Sequence, residues 1–275
     1  MTVFKKIFDF YIQGSIHVAL SCSALVGMTQ HMFGIHNGQA MVGFAFFGTI
    51  VGYNFVKYDA LVRITNVSPG IRLKSFAVLS AVAFIGAVYT FFHLHLITQF
   101  VSAAFLGLTL LYTLPFFPNR RNARNWAGVK IYIVSLCWVG VTVVMPLIDE
   151  QLAFTTDFYL KCIQRFILVF VLVLIFEIID LKNDDPHLHT VPQQIGVVKT
   201  KMAALFLLLV FYMLEFFNAN SNSLQLLVNF VLIIIIGLFI VFANEKRSKY
   251  YTSFWVEALP VLWLGMVVLA TQLSE

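Results

Sequence analysis

Three acids follow one apolar run. Residues 167–176 read ILVFVLVLIF, and Glu177, Asp180 and Asp184 come next, spaced by three and then four. On a helix that continues, those spacings put all three carboxylates on one face. A carboxylate at the centre of a membrane span costs about 2.5–3.5 kcal/mol on an insertion scale, so three at the mouth of a span mark a polar site. Magnesium takes one or two carboxylates and completes its shell with phosphate oxygens and water. Glu177, Asp180 and Asp184 are therefore the candidate metal ligands, for Mg²⁺ that in turn grips a phosphorylated ligand. The plain alternative is that they cap the helix end near Lys182. Acids at a helix C-terminus oppose the macrodipole, which favours the metal reading. Asp185 lies off the stripe, His187 and His189 are loop histidines, and Pro186 and Pro192 break the helix.

Three further groups of residues bear on a phosphorylated ligand. Asn54 ends an apolar run, and Lys57, Asp59 and Arg63 follow within nine residues. They form either a cation-rich rim that meets a diphosphate or an anchor that only sets orientation. In LYTLPFFPNRRNARNWAGVK, Tyr112 stands near the membrane interface, and Arg120, Arg121, Arg124 and Lys130 offer cations to phosphate; orientation alone also explains them. Gln13, His17 and Ser21 recur every four residues on an otherwise apolar stretch. Such a stripe faces a neighbouring helix or a water-lined cavity.

The elements that must position these groups are membrane helices. Of the 275 residues, 60% are hydrophobic and only 11% charged, a balance no ordinary soluble domain carries. Nine stretches are apolar and long enough to cross a bilayer: 10–32, 39–56, 75–92, 96–114, 129–148, 163–180, 200–217, 223–243 and 254–272. The first follows Lys5 and Lys6 without a clear cleavage site and reads as a retained span. With the N-terminus in the cytoplasm, sixteen of the eighteen Lys and Arg fall on that side, Lys161 and Arg165 being the exceptions. This asymmetry predicts an all-α bundle of nine spans, N-terminus cytoplasmic and C-terminus outside, in an inner (cytoplasmic) membrane with the site loops facing the cytoplasm. Residues 1–275 read as a single integral membrane domain. The net charge of +5 serves orientation and predicts no nucleic-acid partner. Cys22, Cys137 and Cys162 are far apart and imply neither a disulfide framework nor a zinc site.

Taken together, these features resemble the UbiA superfamily of intramembrane prenyltransferases, over nearly the whole chain. EIIDLKNDDPHLHTVPQQIG resembles the family's second aspartate-rich motif, Asp-x-x-Asp-x-x-x-Asp, followed by Thr-hydrophobic-Pro and Ile/Leu-Gly. Asp180, Asp184, Thr190, Pro192 and Gly196 match, and Glu177 replaces the leading Asp. LYTLPFFPNRR resembles the Tyr-containing end of the fourth span. The first motif, Asn-Asp-x-x-Asp-x-x-x-Asp, departs: Asn54 is retained, but Phe55, Tyr58 and Val62 hold the Asp positions. Asp59 comes one residue late, which rotates it by about 100° on a helix. In the family both motifs share the magnesium ions that hold the prenyl diphosphate, so half of that cage is missing here.

The resemblance implies transfer of an isoprenoid chain from a prenyl diphosphate to a small aromatic or quinone-type acceptor, with the lipid bilayer as surroundings. Asn54, Lys57, Asp59, Arg63, Tyr112, Lys130 and His17 are then the candidate substrate-binding residues. The lost first motif motivates an alternative: a non-catalytic protein of the same fold that binds an isoprenoid or quinone, or supports a partner enzyme. A proton-coupled transporter is a third reading of the acids and the histidine stripe. The chain shows no paired halves with matching broken spans, as many transporters do.

Overall fold

The computed structural model describes residues 3–65, 70–113, 128–185, 188–219 and 223–274, without the side chains of 59–65, 108, 110–113 and 274. The described residues form helices and no strand. Helices α3 (Gln39–Thr65), α4 (Ile71–Phe91), α8 (Thr156–Asp180), α10 (Val197–Glu215) and α11 (Ser223–Phe242) are each long and apolar enough to span a bilayer. Two further spans contain π-helical turns. Val129–Asp149 joins α6 (Val129–Val139) to α7 (Met145–Asp149) through Gly140–Val144, and Tyr251–Leu273 enters α12 (Leu259–Ser274) through Tyr251–Val256. That makes seven spans, or eight if α1 (Val3–Gln13) and α2 (Ile16–Phe33) are one bent span. The ninth expected span corresponds to α5 (Leu96–Thr113), whose searched part, Leu96–Gly107, is an apolar helix below spanning length.

The chain is thus an all-helical, multi-pass membrane protein. Large apolar side chains stand exposed on α4 (Phe84, Ile85), α10 (Phe206, Leu209) and α11 (Leu227, Phe230). In water so many exposed apolar groups are a liability; against lipid tails they are matched.

Helix α8 is the centre. In its most apolar stretch 61% of the residues are buried, against 11% in α4. It packs on α6 and α10; α10 continues to α11, α11 to α12, α12 to α2, and α2 to the π turn after α6. This closes a ring; α3 packs outside it against α2, and α4 against α3. Helix α8 starts seven residues before the expected 163. Its polar first turns are buried and paired: Lys161 Nζ meets both Glu215 carboxylate oxygens at 2.9 and 2.7 Å, and Arg165 donates to Leu25 O at 2.9 Å.

The first expected span, 10–32, is broken. Helices α1 and α2 meet at 52°, with Ser15 in the left-handed region at φ 62° between them. The expected Gln13–His17–Ser21 stripe therefore does not run along one helix, because Gln13 ends α1. Close packing also shapes the π turn at Gly140: a Cβ there would lie 2.1 Å from the Phe105 ring.

Candidate functional site

Two cavities lie side by side in the bundle. One, of about 340 Å³, is enclosed by α2, α3, α6, α8 and the start of α12. The other, of about 410 Å³, lies among α2, α3, α4, α5 and α6. Gly52, Tyr53, Thr109, Cys137 and Trp138 line both. Trp138 Nε1 donates to Tyr53 Oη at 3.1 Å, so this pair stands between the two spaces. The second cavity is apolar and aromatic, with Phe44, Phe84, Phe91 and Phe105 in its walls.

Three charged residues line the first cavity. Its charged lining residues are Lys130 on the first turn of α6, Asp180 on the last turn of α8, and Glu257 between the π turn and α12. Lys57, on the turn of α3 that carries the lining residue Val56, stands exposed beside the cavity and close enough to Glu257 for their charges to interact. The end of α3, the start of α6, the end of α8 and the start of the last span thus all border the first cavity. The rest of the lining is mostly aliphatic and aromatic, with Val18, Leu25, Val169, Leu172 and Phe176 among it. In such a low-dielectric space a positioned charge acts more strongly than in water.

The three acids of the sixth span separate. Helix α8 stops at Asp180 and Asp184 lies in the following turn, so the stripe expected of a continuous helix is cut after its second member. Glu177 is buried, and its carboxylate accepts the Val191 amide at 3.1 Å. That amide opens the short α9 (Val191–Ile195), and the first amides of a helix lack internal partners. Pro192 sits in the first turn of α9, Gln193 Oε1 caps the Thr190 amide at 2.9 Å, and Gly196 takes φ 82° as the chain turns into α10. The Thr-Val-Pro…Gly part of the motif thus builds a small helix that holds Glu177. Asp180 stays open to the cavity, and the charges of Lys130, Glu177, Asp180 and Asp184 interact.

The end of α3 has become a clasp for the broken first span. Asn54 is buried; its Oδ1 accepts from Ser15 Oγ at 2.9 Å, and its Nδ2 donates to Gly14 O at 3.2 Å and Ser80 Oγ at 3.0 Å. Lys57 Nζ donates to Ser15 Oγ at 3.0 Å, and Tyr58 Oη donates to Gln13 O at 2.9 Å while its ring stacks on Phe76. Two of the positions where the family places aspartates therefore hold Tyr58, engaged with α1 and α4, and Phe55, which is exposed.

These placements sort the residues expected from sequence. Lys130 and Asp180 line the cavity, and Lys57 stands beside it. Asn54 lines neither cavity, and neither does His17, whose ring nitrogens contact Tyr11 Oη at 2.7 Å and Phe254 O at 2.8 Å. Asp59, Arg63 and Tyr112 lie on α3 and α5 with side chains outside the described residues, as are His187 and residues 114–127, which include Arg120, Arg121 and Arg124. Sequence reading missed Glu257, Tyr53 and Trp138. For Glu257 the signal was present: it is the one acid in the expected span 254–272, and an ionisable residue inside a span is a site candidate by default.

Among the described residues no three His, Cys, Asp or Glu side chains gather as a metal cluster. The three acids expected to hold magnesium are placed differently from one another: the Glu177 carboxylate accepts the Val191 amide, and Asp184 lies in the turn after α8. Asp180 with Asp184 nearby still offers the one or two carboxylates that magnesium uses when phosphates complete its shell. The donor set thus fits one such ion on the α8 side. The described side chains of α3 offer no carboxylate for a second.

No protein-family model and no curated protein matches the chain. Solved structures do. A UbiA homologue from Aeropyrum pernix K1 superposes with a TM-score of 0.67 at 11% identity, over 94% of this chain and 98% of that one. A UbiA homologue from Archaeoglobus fulgidus bound to Cd²⁺ gives 0.61 at 12% identity, over 94% and 99%. A structure of digeranylgeranylglyceryl phosphate synthase gives 0.57 at 13% identity, over 97% of each chain. At these identities the likeness is one of fold, and it runs the length of the molecule.

Proposed function

We propose that this chain, which has the fold of the UbiA homologues, is an intramembrane prenyltransferase that moves an isoprenoid chain from a prenyl diphosphate to a small aromatic or quinone-type acceptor. The observation that carries this reading is the first cavity, an apolar chamber bordered by Lys130 at the start of α6 and Asp180 at the end of α8. A prenyl diphosphate has that same division, an apolar tail on a highly charged head. The paired loops are proposed to face the cytoplasm, in keeping with the charge asymmetry.

In this reading the tail lies along Val169, Leu172 and Phe176, and the diphosphate meets Lys130 and Lys57 at the mouth. Arg63 is proposed to join them. A bound Mg²⁺ would supply neutralising charge to the diphosphate, held on the protein side by Asp180 and Asp184. Lys130 and Lys57 stabilise the negative charge that builds on the leaving diphosphate as the C1–O bond breaks. The aliphatic walls keep water from the allylic cation. On the α3 side, lysine takes the part that metal-binding aspartates take in the family.

A second reading has its own observation. The first-motif positions serve the clasp around Gln13–Ser15, as expected of a protein that keeps the chamber and has given up catalysis. Turnover of a panel of labelled prenyl diphosphates with aromatic and quinone-type acceptors, using purified protein in lipid, separates the two. Product from the unaltered chain supports the enzyme. Tail-dependent binding without product, with product only after Phe55→Asp, Tyr58→Asp and Val62→Asp together, supports the binding protein.

A further inference from the structure

The proposed reading gives Glu257 no part in holding the diphosphate, and its setting calls for another task. It is the one acid between Tyr251 and Ser274. The π turn Tyr251–Val256 precedes it, closed by the bond from the Glu257 amide to Thr252 O at 3.0 Å. A π turn adds a residue to the local helical repeat and so re-aims the side chains after it, and such turns concentrate at functional sites. Here Ser21 Oγ donates to the Glu257 carbonyl, which fixes the backbone to α2. The side chain is left on the cavity wall with no hydrogen-bond donor on its carboxylate among the described residues. A half-buried acceptor-only group facing a largely apolar chamber is costly unless something fills the place of its missing donor.

We infer that Glu257 is a catalytic residue that receives the acceptor: its carboxylate takes a hydrogen bond from an acceptor carrying an O–H or N–H group, such as a phenol, a hydroquinone or an alcohol. This rests on the prenyl-transfer reading and names the acceptor class for the same chamber. In the transfer step the nucleophilic atom of the acceptor bonds to C1 of the prenyl chain. The C1–O bond to diphosphate breaks, with the electron pair leaving on the diphosphate. The proton lost by the acceptor passes to a Glu257 carboxylate oxygen. Lys57 is near enough to interact with that carboxylate, and its positive charge favours the anionic form that takes the proton. The division of labour matches position: Asp180 and Lys130 lie at the ends of α8 and α6, while Glu257 lies between the π turn and α12, where Val256 and Pro260 also line the cavity.

The test uses the full chain in lipid nanodiscs, with Glu257→Gln and Glu257→Asp. Two readouts are followed: binding of a prenyl thiodiphosphate, and kcat for phenol acceptors set against their methyl ethers. The expected result is thiodiphosphate binding within about twofold of the unaltered protein for both variants, transfer to phenols reduced by about 100-fold or more in Glu257→Gln, partial recovery in Glu257→Asp, and no turnover of the ethers. A Gln variant with near-normal kcat overturns the inference, and so does one that loses thiodiphosphate binding and turnover together, since Glu257 then serves the diphosphate or the fold. If the unaltered protein turns over none of the acceptors, the prenyl-transfer reading falls first and takes this inference with it, an outcome visible before any variant is made.

Discussion

Glu177 and Asp180 stand one helical turn apart and do different work. The Glu177 carboxylate accepts the first amide of α9, whereas Asp180 faces the cavity. Glu177→Ala is expected to cost about 1–3 kcal/mol, the penalty of a buried amide left without its partner, and to lower the thermal unfolding midpoint in lipid with little change in prenyl diphosphate affinity once folded. Asp180→Asn is expected to do the reverse: a near-normal melt, and at least tenfold weaker Mg²⁺-dependent diphosphate binding by calorimetry. The sequence pattern showed that acids leave the sixth span but not which of them stays free. That depends on where α8 stops and on an amide fourteen residues further along the chain. Glu257 belongs to no motif, and only its isolation in an apolar stretch pointed to it.

Among the helices, the break between α1 and α2 and the partition between the cavities are the features most open to test. Asn54 bonds Ser15, Gly14 and Ser80 at once, so Asn54→Ala leaves several buried groups unsatisfied. A loss of about 1–3 kcal/mol in unfolding free energy is expected, read as a lowered melt that extra substrate does not restore. Trp138→Ala removes the indole that bonds Tyr53 between the two spaces. The joined chamber is expected to accept longer isoprenoid chains, seen as a shift in the preferred donor length in competition assays. Most helices were legible as apolar runs of sufficient length. The broken first span was not, because the apolar residues on either side of Gln13–Ser15 read as one run of spanning length, and the left-handed Ser15 and its partners on α3 make the turn. The start of α8 was misplaced for a related reason: Lys161, Gln164 and Arg165 have the polarity of solvent-facing residues and are buried in the fold.

Across the whole molecule, charge sits at two places along the central helix. Asp180 belongs to the cavity mouth, while Lys161 and Arg165 lie near the other end of α8. Lys161 and Glu215 are both buried and doubly bonded, with Gln164 donating to the same carboxylate at 2.9 Å and Asn218 at 3.1 Å. Removing one partner strands the other: Glu215→Ala is expected to destabilise the fold by about 3–5 kcal/mol, whereas replacing both Lys161 and Glu215 by apolar residues of similar volume costs much less in the same unfolding assay. The two basic residues that broke the charge asymmetry are thus part of the core. The central claim is that the apolar chamber with its charged mouth holds a prenyl diphosphate, tail inward. Photocrosslinking tests it directly, using a prenyl diphosphate that carries a diazirine at the far end of its tail, with the labelled residues mapped by mass spectrometry. The account predicts labels on α6, α8 or the α3–α5 wall of the second cavity, lost on competition with unlabelled donor and weakened by Asp180→Asn. Labels confined to the lipid-facing surfaces of α4, α10 and α11, unaffected by competitor, would contradict it.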